Sequence, residues 1–285
     1  MPIWASEEKV WRHFSRAALE SQYNLAQHPD RSPAYARYSA ASAAVRAQYP
    51  WRRIAYGAHP REYIEMFAVD GSAAVLVFFH GGYWRALDAP MWSFVAAPFL
   101  AAGISVANVE YPLAPEMRLT DIVASARRAM IAIHRLGTNA RPLIVSGHSA
   151  GGHLAAMMLV TDWAAHDCPG LCIASAVPIS GVFELEPLTH VALNDTLRMT
   201  IDEARRQSPS THLHAIKQPV LAIVGASETD EFRRQTIDFA AALPAARSML
   251  VADANHFTVM GEVADSSSTV GREVLAFVRR CGGQA

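Results

Sequence analysis

Ser149 lies at the centre of Gly147-His148-Ser149-Ala150-Gly151, a Gly-x-Ser-x-Gly run between an apolar stretch, residues 142–146, and a helical one, residues 150–163. A strand that turns sharply into a helix needs small residues on both sides of the turn. Gly147 and Gly151 supply them, so the serine is expected in a strained conformation with its hydroxyl in the open. The start of the following helix favours developing negative charge. This arrangement suits nucleophilic attack on a carbonyl carbon. The resulting oxyanion needs N–H donors, and His80-Gly81-Gly82-Tyr83-Trp84 directly follows a second apolar run ending at Phe79. Glycines let the backbone approach a substrate oxygen there. The turn Gly81, Gly82 and Tyr83, with the N–H of Ala150, is therefore the expected oxyanion hole, where one donor is typically worth about 10²–10³ in rate. His80 is expected to brace the turn rather than to transfer protons.

A serine hydroxyl is a poor nucleophile until a base removes its proton, and the base needs a carboxylate to orient it. Asn255-His256-Phe257 follows the last strand-like stretch, which makes His256 the expected base. The acid belongs on the loop after the preceding strand, where Ala226-Ser227-Glu228-Thr229-Asp230-Glu231 offers three carboxylates. Glu228 sits nearest the strand end and is the leading candidate, with Asp230 as the alternative. Asp230 and Glu231 also read as the N-cap and first turn of the next helix, where carboxylates are favoured anyway. The order serine, acid, histidine differs from that of the chymotrypsin and subtilisin types.

The elements that must position these residues alternate along the chain. Residues 53–56 and 63–69 pattern as edge strands, and 73–79 as a buried one. A helix is expected near 91–102, a strand at 104–110, a helix at 120–136, and then the strand and helix that flank Ser149. Strands at 172–179, 220–224 and 248–252 follow, with helices at 230–243 and 269–280. This rhythm predicts an α/β fold with a mostly parallel central sheet and helices on both faces. Two parts break it. The first fifty residues are patterned as helices, with Val10, Phe14, Ala17, Ala18 and Ser21 on one face and Pro29, Ser32 and Pro33 separating them from an Ala-rich run at 35–49; this segment could cover a sheet edge or overhang the site. Residues 181–217 lose the pattern around Pro187 and Ser208-Pro209-Ser210 and read as a cap insertion. The whole chain, 1–285, is expected to form a single domain.

With 51% hydrophobic and 18% charged residues, the 285-residue chain can bury a large sheet, and a net charge of −1 offers no general attraction for nucleic acid or anionic lipid. No stretch reaches the ~20 apolar residues that span a bilayer. Cys168, Cys172 and Cys281 are too few and too badly spaced for a disulfide framework, so a cytoplasmic protein with reduced thiols is expected. His212 and His214 lack companions that would complete a metal site, and no metal is expected.

Taken together, His80-Gly81-Gly82-Tyr83-Trp84, Gly147 to His153, Glu231-Phe232-Arg233-Arg234-Gln235 and Asn255-His256-Phe257 resemble the arylformamidase (kynurenine formamidase) branch of the α/β-hydrolases, itself related to the hormone-sensitive-lipase-like esterases. Tyr111-Pro112-Leu113-Ala114-Pro115-Glu116 looks like a segment common in the esterases. The resemblance implies an α/β-hydrolase fold and hydrolysis of an N-formyl arylamine by a serine enzyme with no cofactor. One departure is that the acid is usually aspartate in that family, whereas Glu228 stands here. A formyl group needs almost no acyl pocket, so Tyr83 and Trp84 could narrow that side, while Phe183, His190, Asn194 and Asp195 could meet the leaving group. The expected partner is a small-molecule substrate, with a homodimer possible. The competing readings are a carboxylesterase with the same triad and a non-catalytic ligand-binding relative, which would be expected to have lost a triad member.

Overall fold

The computed structural model describes residues 8–26, 28–138 and 141–283. Its frame is an eight-stranded sheet formed by β3 (Arg52–Ala55), β4 (Tyr63–Phe67), β5 (Val75–Phe79), β6 (Ser105–Val109), β7 (Leu143–His148), β8 (Ile173–Ile179), β9 (Val220–Gly225) and β10 (Ala246–Val251). The order across the sheet is β10-β9-β8-β7-β5-β6-β4-β3. β3 and β4 run antiparallel to their neighbours, and the remaining pairs are parallel. The central strands are apolar and buried along their length, as in Val-Leu-Val-Phe-Phe of β5. Both faces of such a strand must be covered, because water on either side would leave large side chains hydrated.

Two cores provide that cover. On one face α1 (Arg16–Tyr23), α4 (Leu119–Ile133), α5 (Ala150–Leu159) and α8 (Asp230–Ala241) bury residues such as Leu19, Ile122, Leu154 and Phe232. On the other, α2 (Arg31–Gln48), α3 (Ala97–Ala101), α9 (Val259–Ala264) and α10 (Thr269–Cys281) bury Tyr38, Phe99, Met260 and Phe277. The stretch 181–217 holds only short pieces, among them α6 (Asn194–Leu197) and α7 (Ile201–Arg206). No helix among the described residues is long and apolar enough to cross a membrane.

The N-terminal fifty residues depart from the helical reading at their start. Residues 1–7 lie outside the described part. Val10 and Phe14 sit in a short hairpin of β1 (Lys9–Trp11) and β2 (Phe14–Ser15). Helix α1 begins only at Arg16, where the Ser15 hydroxyl caps the N–H of Ala18 at 3.4 Å. Ser32 and Pro33 fall inside the first turn of α2 rather than between helices. Proline is tolerated there because the first N–H groups of a helix have no partner to lose. The helix expected at 91–102 is split into a 3₁₀ run, Ala89–Ala96, and α3, because Pro98 has no N–H to continue an unbroken ladder.

Candidate active site

β7 ends at His148 and α5 begins at Ala150, so Ser149 makes the whole turn with φ 55 and ψ −114. A residue with a Cβ avoids this region, and such strain persists only when the surroundings impose it. The surroundings are tight. A Cβ on Gly151 would collide with the carbonyl of Phe79, and one on Gly147 with the carbonyl of Gly151. Gly81 passes so close that a Cβ there would lie 3.5 Å from that of Ser149. Gly82 adopts φ +118, and any side chain on it would strike the Ala86 carbonyl. The N–H of Ala150 is first in α5 and has no intrahelical acceptor. His80 braces this turn. Its ring stacks on Tyr111 at 4.2 Å, and its carbonyl accepts the Tyr111 hydroxyl at 2.6 Å.

The loop after β9 carries the carboxylates, and Glu228 meets His256. The Nδ1–H of His256 donates to Glu228 Oε2 at 2.6 Å, which leaves Nε2 as the ring's free lone pair. Glu228 Oε1 accepts from the hydroxyl of Ser180 at 2.5 Å and from the N–H of Gly225 at 2.8 Å. Asp230 and Glu231 are occupied elsewhere. Thr229 takes the N-cap position of α8, the exposed Asp230 pairs with Arg233, and the buried Glu231 binds Arg234 at 2.7 Å and accepts the Tyr23 hydroxyl at 3.0 Å. The imidazole of His256 is packed between Phe232 and His148, with ring centroids 4.4 and 4.6 Å away. His148 was not a sequence candidate, yet its Nε2–H donates to the His256 carbonyl at 2.9 Å. Burial holds its pKa well below the ordinary histidine value, so it is neutral and acts as a fixed donor.

A sequence profile described as the alpha/beta hydrolase fold matches residues 76–256, which contain both glycine turns, the carboxylate loop and His256. The chain belongs to the α/β-hydrolase fold family. It is 28% identical to the kynurenine formamidase of Danio rerio, over 94% of this chain and 98% of the relative. It is 26% identical to that of Salmo salar, over 90% and 94% of the two chains. Among solved structures, a candidate thioesterase from Silicibacter sp. superposes with a TM-score of 0.79 at 29% identity, covering 90% of this chain and 98% of that one.

In this hydrolase Ser149, His148 and His256 line a cavity of about 250 Å³. The N-terminal segment, which the sequence could place either over a sheet edge or over the site, contributes the largest share of the rest of its lining: Glu20, Tyr23, Asn24, Leu25, Ala26, Arg31 and Tyr35. Gly82, Tyr83, Arg85 and Leu87 line it from the turn after β5, and Phe257 from the loop of His256. The N-terminal segment is tied to both sides of the site. Tyr38 donates to the Phe257 carbonyl at 2.6 Å and Asn255 to Asp30 at 2.5 Å, while Thr229 donates to the Gln22 carbonyl at 2.9 Å.

Of the residues expected to touch substrate, Tyr83 lines the cavity and the others lie elsewhere. Trp84 is fully buried and set edge-on to His153, 5.0 Å away, because the turn directs it into the core. Phe183 stacks on Phe239 at 4.0 Å. Asn194 hydrogen-bonds the backbone of Met199, His190 offers its carbonyl to Arg16 at 2.7 Å, and Asp195 is exposed in α6. The 181–217 stretch instead reaches the cavity through Val191, Ala192 and Leu193. Outside it, His212 bonds the Arg206 carbonyl at 3.1 Å, a contact that stabilises its own loop.

Proposed function

We propose that Ser149, His256 and Glu228 form a catalytic triad that hydrolyses small formyl amides of arylamines through a formyl-enzyme. The observation that carries this reading is the 2.6 Å contact from His256 Nδ1 to Glu228, with His256 and Ser149 lining one cavity. The Ser149 Oγ attacks the formyl carbonyl while its proton passes to His256 Nε2. The oxyanion is received by the N–H of Ala150 and those of the Gly81–Tyr83 turn. Buried beside His256, the Glu228 carboxylate stabilises the imidazolium, which then returns the proton to the departing amine. Water, activated by the same imidazole, attacks the formyl ester and releases formate.

The formamide preference is supported by nearly full-length similarity to two kynurenine formamidases. A cavity of about 250 Å³, walled by Tyr23, Tyr35, Tyr83 and Phe257, suits one aromatic ring rather than a long acyl chain. The similarity to a candidate thioesterase favours a second reading, a short-chain acyl esterase using the same residues. Hydrolysis of N-formylkynurenine and of p-nitrophenyl acetate, each measured with the wild type and with Ser149→Ala, separates the two. A kcat/KM at least tenfold higher on the formamide, abolished in the variant, is the expected result. Ester turnover far above formamide turnover establishes the esterase, and hydrolysis unchanged by Ser149→Ala removes the triad altogether. The unpaired cysteines fit a reducing compartment, and we place the reaction in the cytoplasm.

A further inference from the structure

Glu228 has a second carboxylate oxygen, and the residue that holds it has an unusual backbone. Ser180 is fully buried just past the end of β8, with φ +49. That region is disfavoured for any residue with a Cβ, whereas glycine adopts it freely, and Gly181 stands next in the chain. What a serine side chain adds here is one hydroxyl. It points at Glu228 Oε1, 2.5 Å away.

The end of β8 also meets the nucleophile. The Ile179 carbonyl accepts the N–H of Ser149 at 2.8 Å, and the N–H of Ser180 donates to the Ile223 carbonyl in β9 at 2.7 Å. Two consecutive residues thereby fix the serine turn and the carboxylate relative to each other. A glutamate carries one more side-chain torsion than an aspartate, and a carboxylate anchored at one oxygen can rotate away from an imidazole. With the Ser180 hydroxyl and the Gly225 N–H on Oε1, Oε2 has one orientation, toward His256.

We propose that Ser180 is a positioning residue that locks Glu228 in the rotamer that meets His256, and that this lock compensates for the extra methylene of a glutamate in the acid position. The inference rests on the triad proposed above. Ser180→Ala tests it by deleting only the hydroxyl, and Ser180→Gly by removing the hydroxyl together with the Cβ while relieving the backbone. Both are expected to lower kcat by about tenfold to a hundredfold, the range for a hydrogen bond to a charged acceptor, with KM within twofold of wild type. The melting temperature of Ser180→Gly stays at or above that of the wild type. In a Glu228→Gln background, Ser180→Gly costs less than twofold more, because its action passes through Glu228. Wild-type kcat in Ser180→Gly, or an equal loss with and without Glu228, overturns this inference alone. Wild-type kcat in Glu228→Gln overturns the triad as well.

Discussion

The phenol of Tyr83 donates to the backbone carbonyl of Tyr23 at 2.8 Å, so the turn that faces Ser149 is pinned to the C-terminal end of α1. Tyr23 in turn donates its own hydroxyl to Glu231 and accepts from Gln235, in the helix that follows the Glu228 loop. The N-terminal segment therefore helps to set the separation between the two loops. Tyr83→Phe removes one neutral hydrogen bond, worth about 1 kcal/mol. A small drop in melting temperature and a severalfold rise in KM are expected, the latter measured by steady-state kinetics.

Arg31 and Arg85 line the cavity and neither forms an ion pair among the described residues; Arg31 bonds the Ala26 carbonyl and Arg85 the Thr196 hydroxyl. Guanidinium groups with no carboxylate partner beside a cavity favour a substrate whose amine portion carries a negative charge away from the scissile bond. Replacing either by leucine should raise KM for an anionic formamide about tenfold, the scale of one charge-assisted hydrogen bond, and leave KM for p-nitrophenyl acetate unchanged. An equal effect on both substrates would show that the charge plays no part in selection.

Trp84 is fully buried against His153, so its replacement acts on the fold. Trp84→Ala should cost about 3–5 kcal/mol of stability, in line with other large-to-small core changes. Denaturant unfolding reads this directly. Trp84→Phe, which retains most of the volume, should preserve the ratio of formamide to ester turnover.

Two buried imidazoles give stability a pH dependence. Desolvation lowers His153 from 6.5 to about 4 and His148 well below 6.5. Between the lowered folded value and 6.5 the unfolded chain binds more protons, so stability is greatest above about 6.5 and falls as the pH falls. His153 alone accounts for roughly 3 kcal/mol lost between pH 7 and pH 4, taken from its shift. Urea midpoints across this range should decline, and His153→Gln, which cannot charge, should flatten the slope.

The serine turn was legible because its requirements are local: glycines on both sides, an apolar strand before it and a helix after it. His256 was legible for a similar reason, as a histidine directly after the last strand. Which carboxylate meets His256 was less so, since three carboxylates stand within four residues and local pattern favours each for some role. Packing separated them. Thr229 takes the cap, Glu231 turns toward Tyr23 and Arg234, and Asp230 points to solvent with Arg233, so that Glu228 is the one that reaches His256. The cavity lining was harder still. Trp84 and Phe183 were aromatic and close in sequence to the site, but aromatic side chains near a site serve the core as readily as a cavity.

Alternation of strands and helices, and the two glycine turns, were determined by the sequence alone, because periodicity and steric need act over a few residues. The cavity walls were decided by the tertiary structure. Tyr38 reaches the Phe257 carbonyl across 219 residues of chain, and Glu20 accepts the N–H of Ala192 across 172. Such contacts leave no periodic trace at either end, because each side chain is an ordinary helix residue until folding brings its partner beside it.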